Sequence, residues 1–165
     1  MADQNGPFGV TSLVWGVKQS FRTYVDSTGG VTEAGAGASR TAEGEFVFAG
    51  ADGSGLVLTA DGLLEGQGSF LGEVQFKSHG GMLSVFLADP MIEVKGSGAS
   101  LTVADSRERD RRVELALLDL SAMTRSAGAE VVIPAALAMH GIMLLGDHYP
   151  LRTVLDSVRL TLAGN

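Results

Sequence analysis

Apolar and polar positions along the chain change period once, from a helical spacing to a strand spacing. Val14, Val17, Phe21, Tyr24 and Val25 recur at three- and four-residue intervals, and Thr11 or Ser12 can cap them, so a helix is predicted over Leu13 to Val25. It stops in Asp26-Ser27-Thr28-Gly29-Gly30, and Val31 to Gly44 reads as a loop or a weak edge strand. From Glu45 the period is two. Glu45 to Ala49, Leu56 to Thr59, Ser69 to Ser78, Met82 to Ala88, Met91 to Lys95, Ser100 to Ala104 and Val113 to Leu118 read as strands. Turns are predicted at Asp52-Gly53, Asp61-Gly62, Gly80-Gly81, Asp89-Pro90 and Gly96-Ser97-Gly98, the Gly-Gly pair making the clearest hairpin with His79 at its rim. Pro134 to Leu145 reads as a second helix, since proline suits a first turn and Ala135 to Ala138 are good formers, and Thr153 to Leu162 alternates as a closing strand. The prediction is a mainly β protein, an antiparallel, β-sandwich-like arrangement of many short strands with two short helices. Residues 1–165 read as one domain, without an internal repeat or linker.

Composition narrows the function classes. The chain has 165 residues, 45% of them hydrophobic and 19% charged, and its 23 glycines are about twice the average usage. A disordered chain is excluded, and no apolar run is long enough for a membrane-spanning helix. A net charge of -7 opposes the phosphate backbone, so nucleic acid is not an expected partner. With no cysteine, thiolate nucleophiles, disulfides and iron–sulfur clusters are excluded. The start, Met-Ala-Asp-Gln-Asn-Gly-Pro, lacks the pattern of a secretory signal, so a cytoplasmic location is expected if Met1 is native. Arg107 to Arg112 holds four arginines and reads as a solvated loop or edge gatekeeper, with phosphate binding as the alternative.

Catalytic signatures are scarce. There is no Gly-x-Ser-x-Gly elbow, no phosphate-binding Gly-x-x-x-x-Gly-Lys-Ser/Thr loop and no His-Glu-x-x-His pair. His79, His140 and His148 are isolated in sequence. Tyr24 stands out: with Val17, Ser20 and Phe21 it falls on one side of the predicted helix, setting a phenol and a hydroxyl among apolar neighbours. Two readings follow. One is a core tyrosine bonded to backbone. The other is a ligand of ferric iron, because a hard phenolate suits Fe(III) and tyrosine can be an axial haem ligand. A free phenol has a pKa of about 10, so such a ligand needs a neighbouring donor, which a histidine could supply.

Three stretches carry a resemblance. Trp15-Gly16-Val17-Lys18-Gln19-Ser20-Phe21-Arg22-Thr23-Tyr24-Val25 is similar to the opening motif of HtaA-type haem-binding domains of actinobacterial haem-transport-associated proteins. Residues 72–83, followed by Leu87 to Val94, resemble that family's central strand, histidine, glycine and aspartate-proline pattern. Leu137 to Val158 resembles its closing helix, tyrosine-containing turn and Leu-Asp strand, with Gly141, Gly146, Tyr149, Thr153, Leu155 and Asp156 in register. The resemblance implies that Tyr24 is the axial ligand of ferric haem b, that His79 hydrogen-bonds to its phenolate, and that Ser20 contacts a propionate. Val17, Phe21 and Gly80 are expected in the pocket wall.

Departures from the family fall near the C-terminus, where Leu145 and His148 stand in place of aromatic residues. His148 either approaches the sixth coordination position or lies in an exposed turn between Asp147 and Pro150. His140 and Met143, at i, i+3 spacing, are expected to pack or lie at a helix edge. Family members are usually secreted or surface-anchored, the location expected here if Met1 is not native. The resemblance implies a non-enzymatic protein for haem uptake, transport or storage, with a haem donor or acceptor protein as partner and no membrane insertion. Self-association through exposed hairpins is open. Two other classes remain: a haem-dependent enzyme, peroxidase-like or haem-degrading, and a β-rich interaction module without haem.

Overall fold

The computed structural model describes residues 7–126, 129–146 and 149–163. The first half runs β1 (Phe8–Trp15), α1 (Gln19–Ser27), β2 (Val31–Gly35), β3 (Ala38–Arg40), β4 (Phe46–Gly50), β5 (Val57–Leu58), β6 (Leu64–Glu65), β7 (Gln67–Leu71) and β8 (Glu73–Ser78). The second runs β9 (Leu83–Lys95), β10 (Gly98–Ala104), β11 (Arg112–Asp119), β12 (Thr124–Ser126), β13 (Glu130–Leu137), α2 (Gly141–Leu144) and β14 (Val154–Leu162). Each strand pairing is antiparallel. Following the pairs β1–β4–β7–β9–β10–β11–β13–β14 and back to β1 closes a ring of eight strands. The mainly β expectation therefore holds, with the sheet curled into a barrel-like closure that leaves no edge within the ring.

The ring is filled. Leu13, Trp15, Phe46, Phe48, Phe70, Ile92, Leu101, Val103, Leu115, Ile133, Leu137, Val158 and Leu160 have no exposed surface, and burying each side chain of this kind contributes about 1.5–3 kcal/mol. Outside it stands a flap. β8 pairs with the first half of β9, and β2 pairs with the outer side of β8. The flap branches from the ring at Gly72 and Asp89: the Asp89 amide donates to the Gly72 carbonyl at 2.7 Å, and the Asp89 carboxylate accepts from the Gly72 amide at 3.2 Å. Gly72 has φ +143, and a Cβ there would lie 2.7 Å from the Ala38 nitrogen, so no other residue fits without displacing β3.

Several elements differ from the sequence reading, for identifiable reasons. Leu13 to Trp15 belongs to β1, and the helix begins only at Gln19. Thr11 is an extra residue opposite the Val10–Leu162 and Ser12–Thr161 pairs, so the buried set shifts from Phe8 and Val10 to Leu13 and Trp15. That bulge gives a strand the three-residue spacing of a helix. Pro134 lies inside strand β13, not at a helix start, and the helix nearby among the described residues is the single turn α2. Residues 132, 134 and 136 are apolar like the buried Val131, Ile133, Ala135 and Leu137, which hides the alternation. Gly72 divides Ser69 to Ser78 between β7 and β8, and Asp89-Pro90 continues β9 through a positive φ of 50° at Asp89 instead of turning. The hairpin after β8 is a 3-10 turn over His79–Gly81, longer than the two-residue loop expected. Val31 to Gly44 contains β2 and β3.

Candidate functional site

Helix α1 is placed by one aspartate. Pro134 supplies no N–H to the ladder, and opposite it β14 carries an extra residue between the Ile133–Val158 and Ala135–Leu155 pairs. Asp156 lies in that irregularity, and its backbone is free to reach the end of β1 and the residues after it: its carbonyl accepts the Trp15 indole N–H at 2.7 Å and its amide donates to the Val17 carbonyl at 2.9 Å. Its carboxylate accepts the Gln19 amide at 2.9 Å, a cap supplied from another strand, and the Arg22 guanidinium at 2.6 Å. Arg22 also donates to the Gly16 carbonyl at 2.7 Å. Val17 sits at φ +66, a sparsely populated conformation for a β-branched residue, and these bonds hold it there.

The other end of α1 is tied to the flap. Thr28 Oγ1 bonds to the buried Ser78 hydroxyl and donates to the Val25 carbonyl at 3.0 Å. Phe21 meets Phe76 of β8 edge-to-face at 5.0 Å, and Phe76 in turn meets Phe46 of the ring at 5.8 Å. Ser78 precedes His79, which has φ +53, followed by Gly80 and Gly81 at φ +66 and +95. This turn aims the imidazole at the helix: Tyr24 Oη and His79 Nε2 are 2.6 Å apart, with either atom able to donate according to the imidazole tautomer. A cleft of about 380 Å³ opens beside them, lined by Ser20, Phe21, Tyr24 and Tyr149.

Of the residues singled out in the sequence, Tyr24, His79, Ser20 and Phe21 are thus brought together. Tyr24 is no core tyrosine: it is 39% exposed, and its partner is a side chain from another element. Val17 and Leu145 have no exposed surface and do not line the cleft, and Gly80 meets open space, its glycine explained by positive φ and not by a close approach. His148 lies outside the described residues. His140 and Met143 line a different depression with Arg111, Arg112 and Met139. The arginine-rich loop carries its own counter-charges: Arg107 and Arg109 bond Glu73 at 3.0 Å, and Arg109 bonds Asp89 at 2.7 Å. The Arg109 pKa is raised above its usual value by hydrogen bonds to Glu73 and Asp89, whereas burial lowers that of Arg112.

Sequence reasoning missed Arg22 and Tyr149. The signal for Arg22 was its spacing, next to Phe21 and three residues before Val25 on the side of the helix that the structure buries, where a cation needs a carboxylate. Tyr149, 6.4 Å from the Phe21 ring, had only its register in the closing turn.

The HtaA family model, described as "Htaa", matches residues 11–161. The chain belongs to the HtaA family. Among solved structures, it is similar to the C-terminal domain of HtaA from Corynebacterium glutamicum, with 26% identity and a TM-score of 0.70 over 94% of this chain and 99% of that one. The N-terminal domain of the same HtaA, 24% identical, superposes with a TM-score of 0.71 over 96% of this chain and 100% of that one. The haem-binding protein HtaB from C. glutamicum, 17% identical, gives 0.71 over 97% and 96%, a likeness of fold. No curated protein sequence matches the chain.

Proposed function

We propose that this HtaA-family chain binds ferric haem b as cargo, through the phenolate of Tyr24 with His79 supporting the anion, for haem uptake, transport or storage. The observation that carries this reading is the 2.6 Å Tyr24–His79 pair at the edge of a cleft walled by Phe21 and Tyr149. The donor set fits the cargo: a partly exposed phenol is a hard oxygen donor for ferric iron, and the aromatic walls suit a flat macrocycle. Bound there, haem supplies a Lewis-acidic iron for an anionic oxygen. The chain supplies the rest. His79 Nε2 accepts the phenol hydrogen while Tyr24 is neutral, and when the oxygen is anionic the imidazole donates N–H to it instead. Phe21 and Tyr149 wall the cleft that Tyr24 also lines, and Ser20 offers a hydroxyl for a propionate. The role is carriage between a haem donor and an acceptor protein, without catalysis of its own.

Titration of the protein with ferric haem, followed by visible absorption, tests the reading. A saturating one-to-one tyrosinate-type high-spin spectrum is expected, abolished in Tyr24→Ala and weakened or altered in His79→Ala. An unchanged spectrum in folded Tyr24→Ala would overturn the ligand assignment, and product formation from bound haem with a reductant would favour an enzyme instead.

A further inference from the structure

We propose that Lys18 is the carboxylate-binding cation of the cleft, so that the cargo is held as a free acid and discriminated from its ester. The proposal rests on the haem reading and assigns one residue's part in it. Lys18 directly precedes α1, in extended conformation at φ -155 and ψ 121, two residues before the cleft-lining Ser20. Its ammonium donates to the Val154 carbonyl at 3.1 Å and lies 5.5 Å from the centroid of the Tyr149 ring, which walls the same cleft. A carbonyl and an aromatic face hold this charge without neutralising it, and two of its three protons remain for other acceptors.

The contrast with other cations is informative. Arg22, Arg107, Arg109, Arg111 and Arg159 each pair with a carboxylate of the chain, and of the cations without such a pair Arg40 and Arg125 sit over Phe46 and Phe8, whereas Lys18 sits over Tyr149, a wall of the cleft. No carboxylate pairs with Lys18 among the described residues. An ammonium positioned over one wall of an aromatic cleft, with no carboxylate partner among the described residues, is suited to a planar apolar ligand bearing carboxylates along one edge. Because the side chain is already held by Val154 and Tyr149, ordering it on binding costs little entropy.

The test compares acid with ester, which separates charge pairing from wall-building. Ferric haem, iron-free protoporphyrin IX and protoporphyrin IX dimethyl ester are titrated into wild type, Lys18→Gln, Lys18→Arg and Tyr24→Ala, with far-UV circular dichroism confirming the fold. Lys18→Gln is expected to weaken both free acids by about three- to tenfold, to leave the diester unchanged, and to be largely rescued in Lys18→Arg. Equal losses for acid and ester would overturn the proposal and leave Lys18 only a brace for Val154 and Tyr149; no loss with any ligand would overturn it too. The underlying reading fails separately: haem that binds Tyr24→Ala as well as wild type removes the iron ligand, while an intact acid-against-ester difference at Lys18 would still stand. Absence of binding by wild type to any of the three overturns both.

Discussion

Removing the Asp156 side chain should loosen α1 at its root while leaving the ring of strands intact. In Asp156→Ala the Gln19 amide loses its acceptor, worth about 1 kcal/mol for a helix cap. Arg22, only 9% exposed, keeps the Gly16 carbonyl but loses its carboxylate. Breaking a buried ion pair by removing one partner costs about 3–5 kcal/mol. The Asp156 side chain is itself 23% exposed, so water can enter the vacated space and the lower figure applies. The two losses overlap at one helix end, giving about 3 kcal/mol in all, or a fall in Tm of about 6–12 °C for a chain of this size. Urea unfolding followed by Trp15 emission measures it, since this single tryptophan is fully buried and bonded to the Asp156 carbonyl. Arg22→Met with Asp156→Ala should be less destabilised than the sum of the singles by about 1–3 kcal/mol, because no charge is then left stranded. A loss below about 0.5 kcal/mol in Asp156→Ala, or a strictly additive cycle, would refute the reasoning.

Gly72→Ala should destabilise by more than about 2 kcal/mol in urea unfolding, since the new Cβ meets the β3 backbone at a positive φ. Thr28→Val, close in shape, leaves the buried Ser78 hydroxyl without this partner and should cost about 1–3 kcal/mol; Thr28→Ser, which restores the hydroxyl, should recover most of it by the same measurement. Tyr24→Phe should stay within about 1 kcal/mol of wild-type stability, because only a partly exposed hydroxyl is removed, while ferric haem titration shows the tyrosinate spectrum gone.

The pairing of Tyr24 with His79 was legible because each lies in a short motif whose residue order is distinctive, and the structure sets the two at hydrogen-bond distance. The strands from Glu45 onward were legible where turns are marked by Asp-Gly or Gly-Ser-Gly and one face is polar. Legibility failed where a bulge interrupts the period, as at Thr11, and where both faces are apolar, as in β13. It failed again at Asp89-Pro90, a dipeptide that ordinarily turns but here bends a continuous strand under restraint from Gly72. The anchorage of the site was the least visible part. Asp156 and Arg22 are 134 positions apart, and only the folded ring shows that one carboxylate caps the helix and neutralises its buried cation.

The flap has a consequence for when different parts of the site come apart. Helix α1 is anchored to the closed ring through Asp156 at its start and to the flap through Thr28–Ser78 and Phe21–Phe76 further along, while His79 rides on the flap itself, whose β2 pairs with no strand on its outer side among the described residues. Amide hydrogens of β10, β11 and β13 can exchange with deuterium only through openings that disrupt the ring, while those of β2 and the tip of β8 can exchange through opening of the flap alone. For the imidazole to leave the phenol by such an opening, the Thr28–Ser78 bond and the Phe21–Phe76 contact must come apart as well. On the proposed reading, an opening of the flap would withdraw the histidine from the Tyr24 oxygen while the barrel beneath stays folded.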